Sequence, residues 1–500
     1  MVEKKDLMKL QNGSDVRGIA VDGVEGEKVN LFPEAVNRIA TGFVRFLEKR
    51  TNKKASELTL TVGHDSRISA DMMMSEIKNA FVNSGAKTID CDLASTPAMF
   101  MSTVFDETKA DGAVMVTASH LPFNRNGMKF FTKDGGAEHE DITEILEYAY
   151  EAQEVKADIS SVQKYDLLGR YSAFLCDKIK DALNNGDKPL SGMHIVVDAG
   201  NGDGGFFAYK VLDELGADTT GSQFLEPDGH FPNHIPNPEN KDAMNAIRKA
   251  VLDSKADLGL IFDTDVDRMS AVLSDGEEVN RNALIGLIAA ILAPDYPGST
   301  IITDSVTSDE LTEFLTNELH LKHHRFMRGY KNVINECIRM NKAGEVSPLA
   351  IETSGHGALS ENYYLDDGAY LAVKLLIAAA RQRKKGGDLA SLIAKLKSPA
   401  ESKEYRLYIR MEEGFKDYGN DVLKEFEKRA KDKGIKIASP SFEGVRLVFD
   451  NGWALLRMSL HDPNMPLNIE SRNPGGLAGI ENEVKGLLDG FDKLDLSAFS

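Results

Sequence analysis

A hydroxyl and an imidazole stand side by side in residues 117–129, which read TASHLPFNRNGMK and follow a short apolar stretch. A serine alone is a weak nucleophile. As a stored phosphoester, however, it needs only a metal ion and nearby cations to pass its phosphoryl group to an incoming hydroxyl. Ser119 is the candidate for such a store. The alternative is a serine that caps a turn, which is the commoner role of an isolated Ser-His pair.

Three aspartates stand at alternate positions in residues 263–268, which read DTDVDR. Asp263, Asp265 and Asp267 offer hard oxygen ligands suited to Mg²⁺. An EF-hand also begins DxDxD, but it requires glycine at position six and glutamate at position twelve, where this chain has Arg268 and Ser274. We therefore reject a calcium loop. A structural surface turn is the minority interpretation, because three close carboxylates repel one another without a cation.

A third loop, GNGDGG at residues 200–205, matches the GxGxxG pattern of dinucleotide-binding sites, and Glu226 follows where a ribose-binding acid would stand. A lone GxGxxG is a weak signal, and a tight turn between a strand and a helix explains it equally well. A dinucleotide enzyme stays an outside alternative.

Two further regions supply groups for a polar, anionic ligand. Residues 352–356, ETSGH, place Glu352, Ser354 and His356 at a predicted strand end, where they can hydrogen-bond adjacent sugar hydroxyls. Cationic or polar side chains occur in RGYK (328–331) and RMSLHDP (457–463), and those of interest are Arg328, Lys331, Arg457, Ser459 and His461. Taken singly, each of the three ETSGH residues is as well explained as a solvated loop residue.

Composition narrows the class of partner. The 500 residues carry a formal net charge of −19, with 42% hydrophobic and 27% charged residues. This negative charge repels nucleic acid and anionic lipid, so we expect neither as a partner. For the same reason, a phosphorylated ligand needs a local concentration of cationic side chains. We find no apolar run of membrane-spanning length and no export signal, and we expect a cytoplasmic protein. Cys91, Cys176 and Cys337 are widely spaced, as expected of reduced core thiols.

The elements that position these loops follow an α/β pattern. Short apolar strands alternate with amphipathic helical stretches such as 205–215 and one capped near Ser308, and the predicted strands are 58–62, 113–116, 194–197, 258–262, 300–304 and 349–351. Ligands of such sheets bind at strand ends. We predict a charged, loop-rich linker at 381–388 and 395–404. Beyond it, a strand at 405–409, a helix to about 431 and a hairpin at Asn451-Gly452 predict a smaller α+β domain.

In this order, the loops resemble those of the α-D-phosphohexomutase family, the phosphoglucomutases and phosphomannomutases. The family pattern TASHNPxxxNGxK matches 117–129 except at Leu121, and DGDGDR matches DTDVDR in all three aspartates and the arginine. GExSGH matches from Glu352 to His356, with Ile351 in place of the first glycine. SDVRG, VGHDSR, STPAM, VVDAGNGDGG, PDGHFPNHIPNPEN and YLDDGAY also look alike. The loop RxSGTEP is represented by RMSLHDP, which has Leu460 and His461 in place of glycine and threonine.

The resemblance implies a phosphohexomutase, an isomerase that moves phosphate reversibly between O1 and O6 of a hexose through phospho-Ser119 and a 1,6-bisphosphate. Mg²⁺ would be held by Ser119 and the three aspartates. Arg17, His120, Lys129 and Arg268 would stabilise charge and transfer protons. Glu352 and Ser354 would bind O3 and O4, and the distal phosphate would be held by Lys331, His356, Arg457 and Ser459, with His461 a further substrate contact.

It also implies three similar α/β domains with mixed sheets and a smaller C-terminal α+β domain around a central cleft. We place a phosphoserine domain at 1–158, a metal-binding domain at 159–280, a sugar-binding domain at 281–398 and a phosphate-binding domain at 399–500. The GNGDGG loop would then be structural. Open alternatives are a phosphoglucosamine mutase, a non-catalytic sugar-phosphate-binding paralogue and a metal-dependent phosphatase. Glucose, mannose and the glucosamine phosphates remain open as substrates, and we expect a monomer or homodimer.

Overall fold

The computed structural model describes residues 3–411, 413–459 and 462–499. The chain forms two compact units. The first comprises Met1–Asn280 with Ser354–Ser391, and the second comprises Arg281–Thr353 with Leu392–Ser500.

The first unit begins with an eight-stranded mixed sheet. Its strands pair in the order Gln11–Asn12, Asp15–Ile19, Arg125–Thr132, Gly112–Val116, Thr59–His64, Lys87–Leu93 and Gln163–Lys164, with Gly135–Gly136 beside Arg125–Thr132. The pairs that Thr59–His64 forms with its two neighbours are parallel, whereas Arg125–Thr132 is antiparallel to its neighbours. The helices of this part are Lys4–Met8, Pro33–Thr51, the 3₁₀ turn Ala55–Glu57, Ala70–Asn83, Thr96–Met101 and His139–Glu151.

Helix Pro33–Thr51 packs against both the eight-stranded sheet and the neighbouring helix His139–Glu151. Proline opens the helix, where no amide donor is needed, and Asn52 ends it in the left-handed conformation at φ +55°. At Gly42, an added Cβ would lie 2.3 Å from the carbonyl oxygen of Ile145, so the glycine permits close contact with the neighbouring helix. Phe43 lies 4.9 Å from the Phe130 ring of the sheet, centroid to centroid. This packing buries Phe130 on the strand that pairs with Gly112–Val116, the strand that leads into the loop containing Ser119.

The rest of the first unit holds a four-stranded sheet in the order Glu278–Val279, Met269–Leu273, Leu258–Phe262 and Ile195–Asp198. The last two strands are parallel, and the other pairs are antiparallel. A hairpin joins Gly357–Leu359 to Leu365–Asp366 through the 3₁₀ turn Ser360–Asn362. The helices are Leu167–Leu183, the π-helix Phe207–Leu212, Lys241–Ser254 and Gly368–Lys384. The helix predicted at 205–215 is therefore a shorter π-helical segment.

The second unit contains two groups of strands. Thr300–Thr303 lies between Lys322–Arg325 and Leu349–Ile351, parallel to both. The C-terminal antiparallel sheet has the order Glu401–Tyr408, Asn464–Ser471, Gly452–Leu456, Val445–Phe449 and Lys436–Ile437. The helical segments are Arg281–Leu292, Asp309–Glu313, the π-helix Phe314–Glu318, Tyr330–Lys342, Phe415–Asp432, Leu477–Leu488 and the 3₁₀ turn Ser497–Phe499, and the short helix Ala390–Ile393 spans the point where the chain passes between the units.

Trp453 anchors the core between these two groups of strands. The indole is buried, donates to Glu470 Oε2 at 2.9 Å, and is covered by the Arg446 guanidinium at 3.6 Å from the ring centroid. Arg446 in turn donates to the carbonyl oxygens of Ser305 and Thr307. The cation–π contact holds Arg446 against Trp453 within the C-terminal sheet, and the hydrogen bonds of Arg446 join that sheet to the segment after Thr300–Thr303.

Local predictions hold at the hairpin and at one helix start. Val445–Phe449 pairs with Gly452–Leu456, as the Asn-Gly signal predicts. Ser308 caps helix Asp309–Glu313, its Oγ accepting from the Leu311 amide at 3.1 Å.

The linker prediction is wrong at both ends. Helix Gly368–Lys384 runs through its first residues, and strand Glu401–Tyr408 through its last. The basic residues stay helical because they stand in the last turn, where cations stabilise the helix, and because Arg383 forms an ion pair with Asp257 at 2.8 Å.

Candidate active site

Ser119 lies in the loop that follows strand Gly112–Val116, and its side chain is buried. Its backbone adopts φ +50°, a left-handed conformation that is costly for a serine. The loop is held there partly by its own groups, because the Ser119 amide donates to Thr117 Oγ1 at 2.8 Å. The hydroxyl donates to Asp263 Oδ2 at 3.0 Å. The serine is thus joined to the first aspartate of DTDVDR.

Arg268 joins the serine loop to the aspartate loop. Its Nη2 donates to Ser119 Oγ at 3.2 Å and to His120 Nδ1 at 2.6 Å, while its Nε donates to Asp263 Oδ2 at 3.0 Å. A guanidinium has no acceptor, so Nδ1 of His120 is unprotonated and the ring proton of the neutral imidazole is on Nε2. Burial and the charges of Arg268 and Arg17 lower the pKa of His120 to about 2. His120 is therefore neutral at physiological pH.

The three aspartates follow strand Leu258–Phe262 and are fully buried, and each offers an oxygen within 4.8 Å of the others. Burial, followed by the charge of Asp267, raises the pKa of Asp263 well above its usual range and that of Asp265 to about 6. Burial acts the same way on Asp267, but Lys129, His356 and Arg268 outweigh it and lower the pKa of that carboxyl.

This arrangement fits a divalent cation. Among the residues that the structure describes, Oδ1 of Asp265 is buried without a hydrogen-bond partner. The other oxygen of Asp265 accepts a short hydrogen bond from Thr96 Oγ1, which orients the carboxylate. Hard carboxylate oxygens, close together and partly unsatisfied, are the donors that Mg²⁺ or a similar ion takes.

Lys129 and Arg17 reach the site from adjacent strands. Arg17 pairs with Gly127 across Asp15–Ile19 and Arg125–Thr132, so alternation places Arg17, Asp15 and Lys129 on the same face. Lys129 Nζ lies 3.4 Å from Asp267 Oδ2 and 3.5 Å from Asp15 Oδ2, and Arg17 Nη2 lies 3.0 Å from Asp15 Oδ2. Asp15 therefore contacts both Arg17 and Lys129, a role that the sequence motifs did not predict.

Arg67 is the other residue that the sequence reading missed. Its fully buried guanidinium donates to four carbonyl oxygens of the serine loop. Pro122 and Arg125 accept from Nη1 at 2.8 and 2.9 Å, and Nη2 donates to Leu121 and, through a short bond, to Ser119. The VGHDSR segment resembles the family in this region, but carbonyl acceptors leave no signal in a sequence.

The GNGDGG loop packs against the aspartate loop. A Cβ on Gly202 would lie 2.6 Å from the Thr264 backbone, and one on Gly205 would lie 2.2 Å from the Leu225 carbonyl oxygen. The Asp203 amide donates to the Thr264 carbonyl at 2.8 Å. Close backbone packing therefore explains Gly202 against the aspartate loop and Gly205 against Leu225, and the loop is structural, as the family resemblance implies.

The ETSGH segment crosses the boundary between the units. Ser354 and His356 belong to the first unit, where Ser354 Oγ lies 2.8 Å from His356 Nδ1 and His356 Nε2 lies 3.7 Å from Asp267 Oδ1. Burial lowers the pKa of His356 to about 3, although the charge of Asp267 opposes the change. Glu352 belongs to the second unit, is buried, and accepts from the Gly329 amide at 2.7 Å.

The remaining predicted ligand residues lie in the second unit. Lys331 is half-buried in the first turn of helix Tyr330–Lys342. Arg457 is buried 3.6 Å from Glu443 Oε1, and burial lowers its pKa. Ser459 Oγ accepts from the Asp462 amide at 3.2 Å. His461 lies outside the described residues.

Glu443 was not predicted and connects several of these groups. Besides its ion pair with Arg457, its Oε2 accepts from the Arg328 amide at 3.1 Å and, through a short bond, from Ser305 Oγ. Within the second unit, the RGYK and RMSLHDP segments thus meet at one carboxylate.

Comparison with known proteins agrees with this geometry. Residues 8–156 match phosphoglucomutase/phosphomannomutase alpha/beta/alpha domain I, residues 174–276 match domain II, and residues 280–396 match domain III. The chain belongs to the phosphoglucomutase/phosphomannomutase family. It is an enzyme of the hexose phosphate mutase class, an isomerase. The predicted α/β class, with three such domains and a further small C-terminal sheet, is confirmed.

Relatives cover nearly the whole chain. The phosphoglucomutase of Neisseria gonorrhoeae is 28% identical over 454 residues, covering 89% of this chain and 92% of the relative. The phosphomannomutase/phosphoglucomutase of Pseudomonas aeruginosa is 26% identical over 481 residues, covering 96% and 95%. A crystal structure of a phosphoglucomutase/phosphomannomutase family protein from Burkholderia thailandensis, 23% identical, has the same fold at a TM-score of 0.79 and covers 98% of each chain. No helix in the described residues is long and apolar enough to cross a bilayer.

Proposed function

We propose that the chain interconverts hexose 1-phosphates and hexose 6-phosphates of glucose, mannose or both, with Ser119 as the phosphoryl carrier. One observation carries the proposal: a buried serine hydroxyl donates to an aspartate of a three-carboxylate cluster and accepts from Arg268. Family membership and relatives named for both sugars support it.

The phosphoryl transfer conserves every group. The bond between phosphorus and Ser119 Oγ breaks as a bond forms from phosphorus to the free hydroxyl oxygen of the sugar, which loses its proton to a neighbouring base. The product is a hexose 1,6-bisphosphate, and transfer of its other phosphoryl group back to Ser119 completes the isomerisation. Since His120 is neutral and carries its proton on Nε2, its Nδ1 is the acceptor side of the ring, and that side already receives a bond from Arg268.

The residues around Ser119 stabilise charge without rearrangement. Arg268 binds Ser119 Oγ now and is placed to bind the phosphoryl oxygens of the modified serine. Mg²⁺ on Asp263, Asp265 and Asp267, with a ligand from the serine, would supply neutralisation of the phosphoryl charge. Lys129 and Arg17, held by Asp15, add positive charge from the sheet.

Other parts of the proposal come from the motif likeness. Glu352, Ser354, His356, Lys331, Arg457, Ser459 and His461 are proposed substrate contacts. The division at 1–158, 159–280, 281–398 and 399–500 is a proposal that the matched ranges support. Activation by hexose 1,6-bisphosphate, a cytoplasmic location and a monomeric or homodimeric state stay predictions.

The experiment follows both phosphate esters by ³¹P nuclear magnetic resonance. Purified chain, Mg²⁺ and a trace of glucose 1,6-bisphosphate are mixed with glucose 1-phosphate or mannose 1-phosphate. We expect the 6-phosphate to appear and Ser119→Ala to abolish its formation. Ser160→Ala, at an exposed serine, is the matched control and should keep full activity.

The same spectra separate the alternatives. Inorganic phosphate in excess over the 6-phosphate would indicate a phosphatase. Unchanged substrate with the wild-type chain would indicate a binding protein without catalysis. Full activity in Ser119→Ala would overturn the proposal.

A further inference from the structure

A second group of metal-ligating side chains stands beside the aspartate loop, within the first unit. Asp267, His356 and Asp366 each offer one ligand atom, and these atoms lie within 4.8 Å of one another. His356 Nε2 is 3.7 Å from Asp267 Oδ1 and 3.7 Å from Asp366 Oδ2. The group thus combines two carboxylates and one imidazole, with only Asp267 shared with the three-aspartate cluster.

One of these atoms is a buried oxygen that lacks a hydrogen bond. Asp267 is 1% exposed, and its Oδ1 has no hydrogen-bond partner among the described residues. His356 Nε2 lies 3.7 Å and Arg268 Nε lies 3.9 Å from that oxygen, both beyond hydrogen-bond distance. A buried carboxylate oxygen left in this state is costly, and a cation placed between it and the imidazole would satisfy it.

The other two side chains are oriented by contacts on their far sides. His356 Nδ1 lies 2.8 Å from Ser354 Oγ, which can accept a hydrogen bond from Nδ1–H, so that Nε2 is the unprotonated ligand atom. Asp366 Oδ1 accepts from the Gly357 amide at 2.9 Å, which leaves Oδ2 facing the imidazole. Metal-binding histidines and carboxylates are commonly fixed by outer contacts of this kind.

The donor set and spacing favour a particular class of ion. Two donors at about 2.05 Å from a tetrahedral ion lie about 3.4 Å apart, close to the 3.7 Å separations seen here. Imidazole nitrogen suits Zn²⁺ and related transition-metal ions, whereas Mg²⁺ prefers oxygen ligands only. The nearby charges of Lys129 and Arg268 oppose any cation, which further favours an ion whose bond to nitrogen is strong.

We propose that Asp267, His356 and Asp366 form a second divalent-cation site, which takes a borderline transition-metal ion of the Zn²⁺ class and inhibits the enzyme when occupied. Inhibition follows because the ion removes His356 and one oxygen of Asp267 from the reaction. The inhibitory part of this inference rests on the proposed function. The binding part does not, because it depends only on the three ligands.

Binding is tested with Co²⁺ as the probe, on the full chain without substrate and in a large excess of Mg²⁺. We expect one Co²⁺ per chain to remain bound, with the visible absorption of a tetrahedral ion. Asp366→Asn keeps the acceptor for the Gly357 amide and removes the ligand charge, so Co²⁺ affinity should fall at least about 10-fold. His356→Gln should abolish the nitrogen-ligated spectrum. Asp275→Asn, at an exposed aspartate, should leave binding unchanged.

Inhibition is tested by titrating Zn²⁺ into the mutase assay at saturating Mg²⁺. Asp366→Asn should retain activity and require at least about 10-fold more Zn²⁺ for half-inhibition. Equal Co²⁺ affinity in wild type and Asp366→Asn, or complete displacement of Co²⁺ by Mg²⁺, would overturn the site. A chain that binds Co²⁺ through Asp366 but isomerises no sugar phosphate would leave the site standing and refute the proposed function.

Discussion

Replacing Arg67 by methionine tests whether hydrogen bonds from this side chain fix the conformation of the serine loop. Arg67 is fully buried and donates to four carbonyl oxygens between Ser119 and Arg125. Its Nε also lies 3.3 Å from Oδ2 of Asp65, which is equally buried. Methionine fills much of the same volume but donates nothing, so the substitution removes the hydrogen bonds and leaves a buried carboxylate without its cation.

The expected cost can be bounded from these contacts. Hydrogen bonds from a charged donor contribute about 1.5–3 kcal/mol each, but bonds to one loop are not additive. Breaking a buried ion pair by removing one partner costs about 3–5 kcal/mol, which we take as the total. Since each 1.4 kcal/mol is a factor of ten, opening of the loop should become roughly 100- to 4,000-fold more frequent.

Hydrogen–deuterium exchange of the peptide covering 117–129 measures this opening directly. Fluorescence is unsuited, because the single tryptophan, Trp453, is in the second unit. Arg125→Met is the matched control. The Arg125 side chain is part-exposed and pairs with Glu27, so its loss should cost about 0–1 kcal/mol. Exchange in Arg67→Met within threefold of wild type, with unchanged turnover, would refute the reasoning.

Two other predictions concern the metal and pH. Asp265→Asn should weaken Mg²⁺ activation more than about 100-fold, measured as the half-activating concentration; an unchanged value would contradict the assignment. His234 lies 3.0 Å from Asp198 Oδ1; burial lowers its pKa, but Asp198 outweighs burial and raises it above 6.5. The stabilisation that the protonated His234 gains from Asp198 is complete below pH 6.5 and is lost as the pH rises through the raised pKa of His234. Exchange of peptide 226–240 should therefore quicken above pH 6.5 relative to His234→Gln, with exposed His230→Gln behaving like wild type.

Loops that combine chemistry with a preceding strand were predictable from the sequence. Ser119 and the three aspartates are separated by well over a hundred residues, yet each group follows an apolar strand, and strand ends are where ligands bind in such sheets. The structure brings them within hydrogen-bond distance. The hairpin at Asn451-Gly452 was equally clear, because that dipeptide favours a tight turn.

Contacts to backbone atoms and between distant side chains were not predictable. Arg67 acts on carbonyl oxygens more than fifty residues away, and every residue type has a carbonyl. The contacts that Glu443 makes with Arg457 and with the Arg328 amide were equally unpredictable, because they join residues that are far apart in the sequence. The linker prediction failed at 381–384 because charge and glycine content suggest a loop there, whereas the apolar face of the preceding residues continues the helix to Lys384.

The measurement closest to the central claim is a single-turnover chase of the Ser119 phosphoryl group. The chain is phosphorylated with ³²P-labelled glucose 1,6-bisphosphate and freed of sugar. One portion is digested, and peptide mass spectrometry locates the phosphoryl group. The other portion is mixed with unlabelled glucose 1-phosphate and Mg²⁺. The account predicts label on the peptide containing Ser119 and its transfer to sugar bisphosphate at a rate no slower than turnover. Label on another residue, or transfer much slower than turnover, would contradict it.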